Sequence, residues 1–314
     1  MGNMNVFTDS VLFAESLVDP LQEWKPIEFS GQEAGVPALM NRLFAEHPVY
    51  RNTAASSGDW THAFLVSEAP SSQFDVLVKF TQDHPEVTDG IICLAGTGYG
   101  FHGQRKRHWT TVEGNVHLTA HLAPKKKIER FGVGFPVLAA VSIVETIDSI
   151  SGMEGKAGVK WVNDVFCEGA KVAGFLVHTA SIEDTVVSVV LGVGLNVEKT
   201  PDLLPDPYVP KAGSIREFVA EHDPLHQKKI LSTLLDRLSK NYRSLLEGQW
   251  SRLFNVYRKR SVVVGREVRI LSDPEDGQQE ELGSGRVFAI GENLELWLDG
   301  VEKPIKKGRL IFCD

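Results

Sequence analysis

The chain has 314 residues, 42% apolar and 24% charged, with 33 Lys and Arg against 41 Asp and Glu for a net charge of −8. That length accommodates two domains, or one large domain with an appendage, and the composition excludes disordered, collagen-like and coiled-coil chains. The acidic balance argues against a dedicated nucleic-acid or membrane-surface binder. Cys93, Cys167 and Cys313 are too dispersed for a disulfide framework or a zinc cluster, and no uninterrupted apolar run reaches about 18 residues.

Residues 1–60 are broken by Pro20, Pro26 and Pro37, with a short helix expected over residues 36–46 from the spacing of Ala38, Leu39, Leu43 and Phe44. No two adjacent helices with a turn are visible. The stretch reads as an N-terminal extension packed on the main domain, not as a helix-turn-helix. Its start carries Asp9, Glu15 and Asp19 and has no basic region followed by an apolar one, so a cytoplasmic, reducing setting without a membrane is expected.

Residues 61–255 alternate strands and helices. Strands are predicted at residues 62–66, 91–95, 159–161, 172–178 and 185–191. A helix is predicted over residues 71–82, with Ser71 or Ser72 as N-cap and Phe74, Leu77 and Val78 on its apolar face. In residues 115–122, Val116, Leu118 and Ala120 alternate with His117, Thr119 and His121, the pattern of a half-buried antiparallel strand. A helix over residues 135–150 turns Val137, Leu138, Val141, Val144 and Ile147 inward, with Gly152 beyond its end. Pro205, Pro207 and Pro210 mark a loop. The clearest helix is residues 226–247, with Ile230, Leu231, Leu234, Leu235, Leu238, Tyr242 and Leu245 three and four apart. Residues 261–314 change character. Short strands at 262–264, 267–271, 285–290, 294–298 and 310–312 are separated by turns at residues 276–277, 291–293 and 299–300, which indicates a small β-barrel domain.

Three constellations carry potential chemistry. Residues 96–109, GTGYGFHGQRKRHW, follow a strand. Their glycines let the backbone curl around an anion, and Gln104–His108 add three fixed positive charges. Such a loop suits a phosphate or an acyl phosphate and gains mobility from its glycines. Taken alone it is equally a solvated surface turn. Residues 160–164, KWVND, and 171–174, KVAG, form a hairpin that brings Asn163, Asp164 and Lys171 to one end of a sheet. There a carboxylate and an amide suit Mg²⁺ or nucleotide hydroxyls, and an ammonium suits phosphate. Residues 192–196, GVGLN, end a buried strand with glycines that admit a planar ligand and with Asn196 as donor and acceptor. The bland alternatives are a polar hairpin turn and a bulged strand end.

In this order, a glycine-basic loop ending in Trp109, then KWVND, KVAG and GVGLN, then a small barrel, the chain resembles biotin protein ligases of the biotin/lipoate ligase superfamily from about Ser67 onward. The resemblance implies an α+β fold, a mixed sheet with packed helices related to class II synthetases, with an SH3-like barrel after it. It implies ATP-dependent conversion of biotin to biotinyl-5′-AMP, with Mg²⁺, and transfer to a lysine of a biotin carboxyl carrier domain; the missing helix-turn-helix and the acidic charge lead us to expect no DNA and no membrane partner. It places Lys171, Arg105 and Arg107 in catalysis, and Asn163, Asp164, Asn196 and Trp109 at the nucleotide, with Asp164 also at the metal. It places Ser72, Gln73, Gly103, Lys171 and Gly174 around biotin. The loop departs from the usual Gly-Arg-Gly-Arg-Arg-Gly. Counted back from Trp109, Phe101, Gly103 and Lys106 stand at its glycines and Gln104 at its most characteristic arginine; a register on Gly98, Gly100 and Gly103 instead puts Phe101 and His102 at the inner arginines. A lipoate or octanoate ligase and a non-catalytic binding relative are the alternative readings. A nucleic-acid binder using residues 104–108 and 125–127 fits the charge poorly.

Overall fold

A computed structural model describes residues 2–28, 35–45, 47–56, 58–203, 206–220, 225–273 and 279–313. In chain order the first half contains β1 (Asn3–Thr8), α1 (Val11–Leu17), β2 (Lys25–Ile27), α2 (Gly35–Phe44), β3 (Val49–Ala55), β4 (His62–Ala69), α3 (Gln73–Asp83), β5 (Ile91–Gly98), β6 (Val116–Leu122) and β7 (Lys126–Lys127). Then follow α4 (Phe131–Asp148), β8 (Ala157–Lys160), β9 (Asp164–Cys167), β10 (Ala170–Ile182), β11 (Thr185–Leu195), α5 (Gln227–Leu246) and α6 (Trp250–Lys259). The C-terminal part adds β12 (Glu267–Leu271), β13 (Glu281–Ile290), β14 (Leu296–Leu298) and β15 (Arg309–Phe312). The turn expected at residues 276–277, Pro205 and the expected helix end at Glu46 lie outside the described residues.

The large sheet is mixed, in the order β2-β3-β1-β4-β5-β6-β11-β10-β9-β8, with β7 paired to β11. β1 to β4 and β4 to β5 are parallel, and the remaining pairs are antiparallel. Residues 3–55 therefore differ from the expected extension laid over a domain. Their three strands continue the sheet from β4, because Val6, Phe7, Val49 and Ala54 bury apolar side chains only where β4 offers an edge. α1 and α2 are separated by β2.

One face of the sheet carries α4, with α5 and α6 packed on it. α4 is apolar all round, which marks a core helix rather than an amphipathic surface one. By length and composition its 18 residues suffice to cross a membrane, but most of it is buried between the sheet and α5 and α6. The opposite face carries α2 and α3, packed on Phe64, Val66, Ile91 and Cys93. Ser72 starts α3 as its N-cap, its Oγ accepting from the Asp75 N–H at 3.4 Å.

β6 corrects the expectation of a half-buried strand: all seven of its residues are buried. It lies between β5 and β11. Val116, Leu118, Ala120 and Leu122 join the core containing α4, and His117 and Thr119 line a cavity instead of meeting water. The C-terminal unit is a four-stranded antiparallel sheet, β14-β13-β12-β15, and Ile305 bridges to Leu296 so that the sheet curls toward closure. Residues 262–264, expected as its first strand, are not one. The preceding Ser261 bridges to Val159 and Val262 donates to the Val159 carbonyl, which covers the outer edge of β8.

Candidate active site

On the face shared with α3 lies a cavity of about 230 Å³. Its floor follows from strand periodicity. Gly192 and Gly194 are two apart on β11, so both present the same face. Across β10 they pair with Leu176 and Gly174, and across β6 with Thr119 and His117. The Trp109 indole lies on this floor. A Cβ on Gly194 would sit 2.2 Å from Trp109 Cζ2, and one on Gly174 3.3 Å from Cζ3. Trp109 Nε1 donates to His117 Nδ1 at 3.4 Å, while His117 Nε2 lies 3.2 Å from the Val112 carbonyl. Burial pushes the His117 imidazole down to about 4, so it stays neutral and keeps a nitrogen free to accept.

The hairpin of β9 and β10 supplies the charges. Asp164 pairs with Gly174 and Phe166 with Lys171, with a register shift between Lys171 and Ala173. Lys171 Nζ meets Asp164 Oδ1 at 2.7 Å, and the ammonium stands 5.7 Å from the centre of the Trp109 ring. Asn163 donates to the Phe175 carbonyl at 2.8 Å. Asn196 donates to the Gly213 carbonyl at 2.9 Å, and its buried Oδ1 has no protein partner. Such an orphan acceptor suits a ligand N–H or O–H.

The loop from β5 to Trp109 folds back on itself, with Gly103 N–H to Arg107 carbonyl at 2.6 Å and Trp109 N–H to Phe101 carbonyl at 2.9 Å. It brings Arg107 and Gln104 to the cavity. From the other side Arg309 of β15 enters, its guanidinium stacked 3.2 Å from the Tyr208 ring centre and its Nε buried without a partner. Burial, then the charge of Arg107, holds the Arg309 pKa below its usual value. Two guanidiniums near enough to disfavour each other form a site that an anion relieves. Behind them, burial pushes Lys160 down to about 8, with its Nζ donating to the Tyr208 carbonyl.

Lys171, Arg107, Asn163, Asp164, Asn196 and Trp109 thus come together on one cavity, as do Ser72, Gly103 and Gly174. Two residues inferred from the resemblance do not line it. Gln73, next after the N-cap, points into the sheet and reaches the Leu94 carbonyl at 3.4 Å. Arg105 has φ 55°, which turns its side chain to Asp273 at 2.9 Å. Sequence reasoning missed Arg309, which has no local motif, and His117, whose alternation was readable as a water-facing side. It also missed Phe74 and Phe101, which line the cavity beside His102.

The fold is α+β, a large mixed sheet with helices on both faces and the cavity on one of them. It superposes on the biotin protein ligase from Aquifex aeolicus in complex with biotin and ATP with a TM-score of 0.60, at 21% identity, covering 80% of this chain and 97% of that one. Residues 73–196 match the biotin/lipoate A/B protein ligase family. Among curated relatives, the bifunctional ligase/repressor BirA of Bacillus subtilis is 23% identical over 232 residues, which is 74% of this chain and 64% of the relative. The biotin–[acetyl-CoA-carboxylase] ligase of Mycobacterium tuberculosis is 27% identical over 224 residues, 69% of this chain and 76% of that protein. The match thus spans just under two thirds of the Bacillus subtilis protein.

Proposed function

We propose that the chain is a biotin–protein ligase working in two steps. The biotin carboxylate attacks the α-phosphorus of ATP, forming the mixed anhydride and releasing pyrophosphate. The ε-amine of a lysine on a carrier domain then attacks the acyl carbon and AMP leaves. The observation that carries this reading is the convergence of Lys171, Arg107 and Arg309 on one cavity whose far side is apolar. A carboxylate approaching a polyphosphate needs fixed cations to offset repulsion, and preorganised charge is the largest rate term in such chemistry. Gly192, Leu176 and Phe74 offer an apolar bed for the acyl body, and Asn196 Oδ1 offers an acceptor. The names of the Mycobacterium tuberculosis and Aquifex aeolicus proteins support biotin, ATP and a carboxylase acceptor.

No group of three His, Cys, Asp or Glu side chains suited to a metal occurs among the described residues. Mg²⁺ commonly takes one or two carboxylates plus substrate phosphates, and Asp164 with Asn163 fits that pattern; the ion would neutralise phosphate charge.

The test is mass spectrometry of the purified chain with Mg·ATP and, separately, biotin, lipoate or octanoate. Biotinyl-AMP is the expected product. Lipoyl- or octanoyl-AMP in its place would reassign the acyl group, and no adenylate with any acid would overturn the reading.

A further inference from the structure

The loop directs much of its charge away from the cavity, onto two carboxylates from different parts of the fold. Asp75, in the first turn of α3, lies 2.9 Å from His102 Nε2 and accepts from Lys106 Nζ at 3.0 and 3.1 Å. Asp273, just after β12, meets Arg105 Nε at 2.9 Å. Between these two anchors Arg105 and Lys106 are both left-handed, with φ 55° and 56°. Consecutive non-glycine residues hold that conformation only where their surroundings over-determine it. The next residue, Arg107, then lines the cavity, with its Nε on the Gln104 carbonyl at 3.0 Å.

We propose that Asp75 and Asp273 are positioning residues that form a two-point latch. The latch holds residues 102–106 in the left-handed turn and thereby sets Arg107 and Gln104 at the cavity before any ligand arrives. His102 is the firmer half of the Asp75 contact, because it is largely buried while Lys106 is exposed. His102 also stands edge-on to Phe74, with ring centroids 6.3 Å apart, so the same latch braces one wall of the cavity. The consequence for adenylate retention rests on the adenylate-forming reading; the latch itself does not.

The experiment uses the full chain and the variants Asp75→Asn, Asp273→Asn and Lys106→Met. Hydrogen exchange of amides 100–107 is followed without ligand, and escape of acyl-adenylate is followed in a single turnover. Loss of a charge-assisted anchor is expected to raise exchange at these amides about tenfold in Asp75→Asn. A smaller rise is expected in Lys106→Met and in Asp273→Asn, with exchange in β6 and α4 unchanged. Adenylate escape should rise in parallel while the rate of its formation changes less, a split that general destabilisation would not give. Unchanged exchange at amides 100–107 in all three variants overturns the latch, as does a rise spread evenly over the sheet. If the wild-type chain forms no adenylate, the functional reading falls, and the exchange data still decide the latch.

Discussion

Adding one methyl group at Gly194 tests the cavity floor more sharply than removing a charge. A Cβ there would lie 2.2 Å from Trp109 Cζ2, 2.3 Å from Cε2 and 2.9 Å from Cη2. Carbon atoms rest about 3.5–4.0 Å apart, so the indole must lift by about 1.5 Å. That movement breaks the Trp109–His117 contact and shifts the ring that faces the Lys171 ammonium. Overpacking of this kind costs about 1–3 kcal/mol in stability. A misplacement near 1 Å at a reacting site costs up to about 100-fold in rate. Gly192→Ala makes a graded comparison, since its Cβ would lie 3.0 Å from Phe74 Cδ2, a ring edge that can swing. Gly132→Ala is the control, with nothing within 4 Å. Urea unfolding gives the stability term, and calorimetric ligand affinity with the adenylation rate gives the functional one. The order of damage should be Gly194, then Gly192, then Gly132. Wild-type stability and affinity in Gly194→Ala would show that Trp109 does not lie on the strand.

Burial pushes both His117 and His121 down to about 4 from 6.5. Below about pH 6.5 the unfolded chain takes up protons that the native state refuses, so stability is lost as pH falls toward 4; at pH 5 the loss is about 2 kcal/mol per histidine. Urea midpoints at pH 7 and pH 5 test this, and His121→Leu should remove about half of the slope. Asp164→Asn leaves the Lys171 ammonium without its 2.7 Å partner, which should cost about 1–3 kcal/mol and make ATP binding, followed by calorimetry, less dependent on Mg²⁺; unchanged Mg²⁺ dependence would reduce Asp164 to a turn residue. Gln104 lines the cavity as a neutral amide, so Gln104→Arg should slow release of the acyl-adenylate in a chase with unlabelled ligand, and abolished activity would show that the ungapped loop register is wrong.

The half of the fold that carries the cavity was readable where local chemistry and strand period act together. The KWVND and KVAG segments had to form a hairpin around Glu168–Gly169, and that alone brings Lys171 to Asp164. The two glycines of GVGLN, spaced by two, fall on one face for the same reason. β6 was misread because a period of two reports that the faces differ, not that one is wet; His117 and Thr119 face a cavity beneath the loop and Trp109. The N-terminal strands were not legible, because β1 is held between β3 and β4 and β2 pairs with β3, and pairing across the chain leaves no local trace. Arg309 is a lone arginine at the start of a short strand, and only the packing of the C-terminal sheet carries it to Arg107 and Tyr208. For Arg105 the residue type was read, but not the left-handed backbone that points it at Asp273.

Biotin-dependent exchange of pyrophosphate into ATP, compared between the wild-type chain and Lys171→Ala, tests the central claim most directly. Exchange by the wild-type chain is expected only when biotin is present. A loss of about 10²–10⁴-fold is expected in Lys171→Ala, as for removal of a preorganised charge, with a stability loss no larger than that of Asp164→Asn, which breaks the same ion pair. Exchange at the wild-type rate in Lys171→Ala, or exchange that does not require biotin, would contradict it.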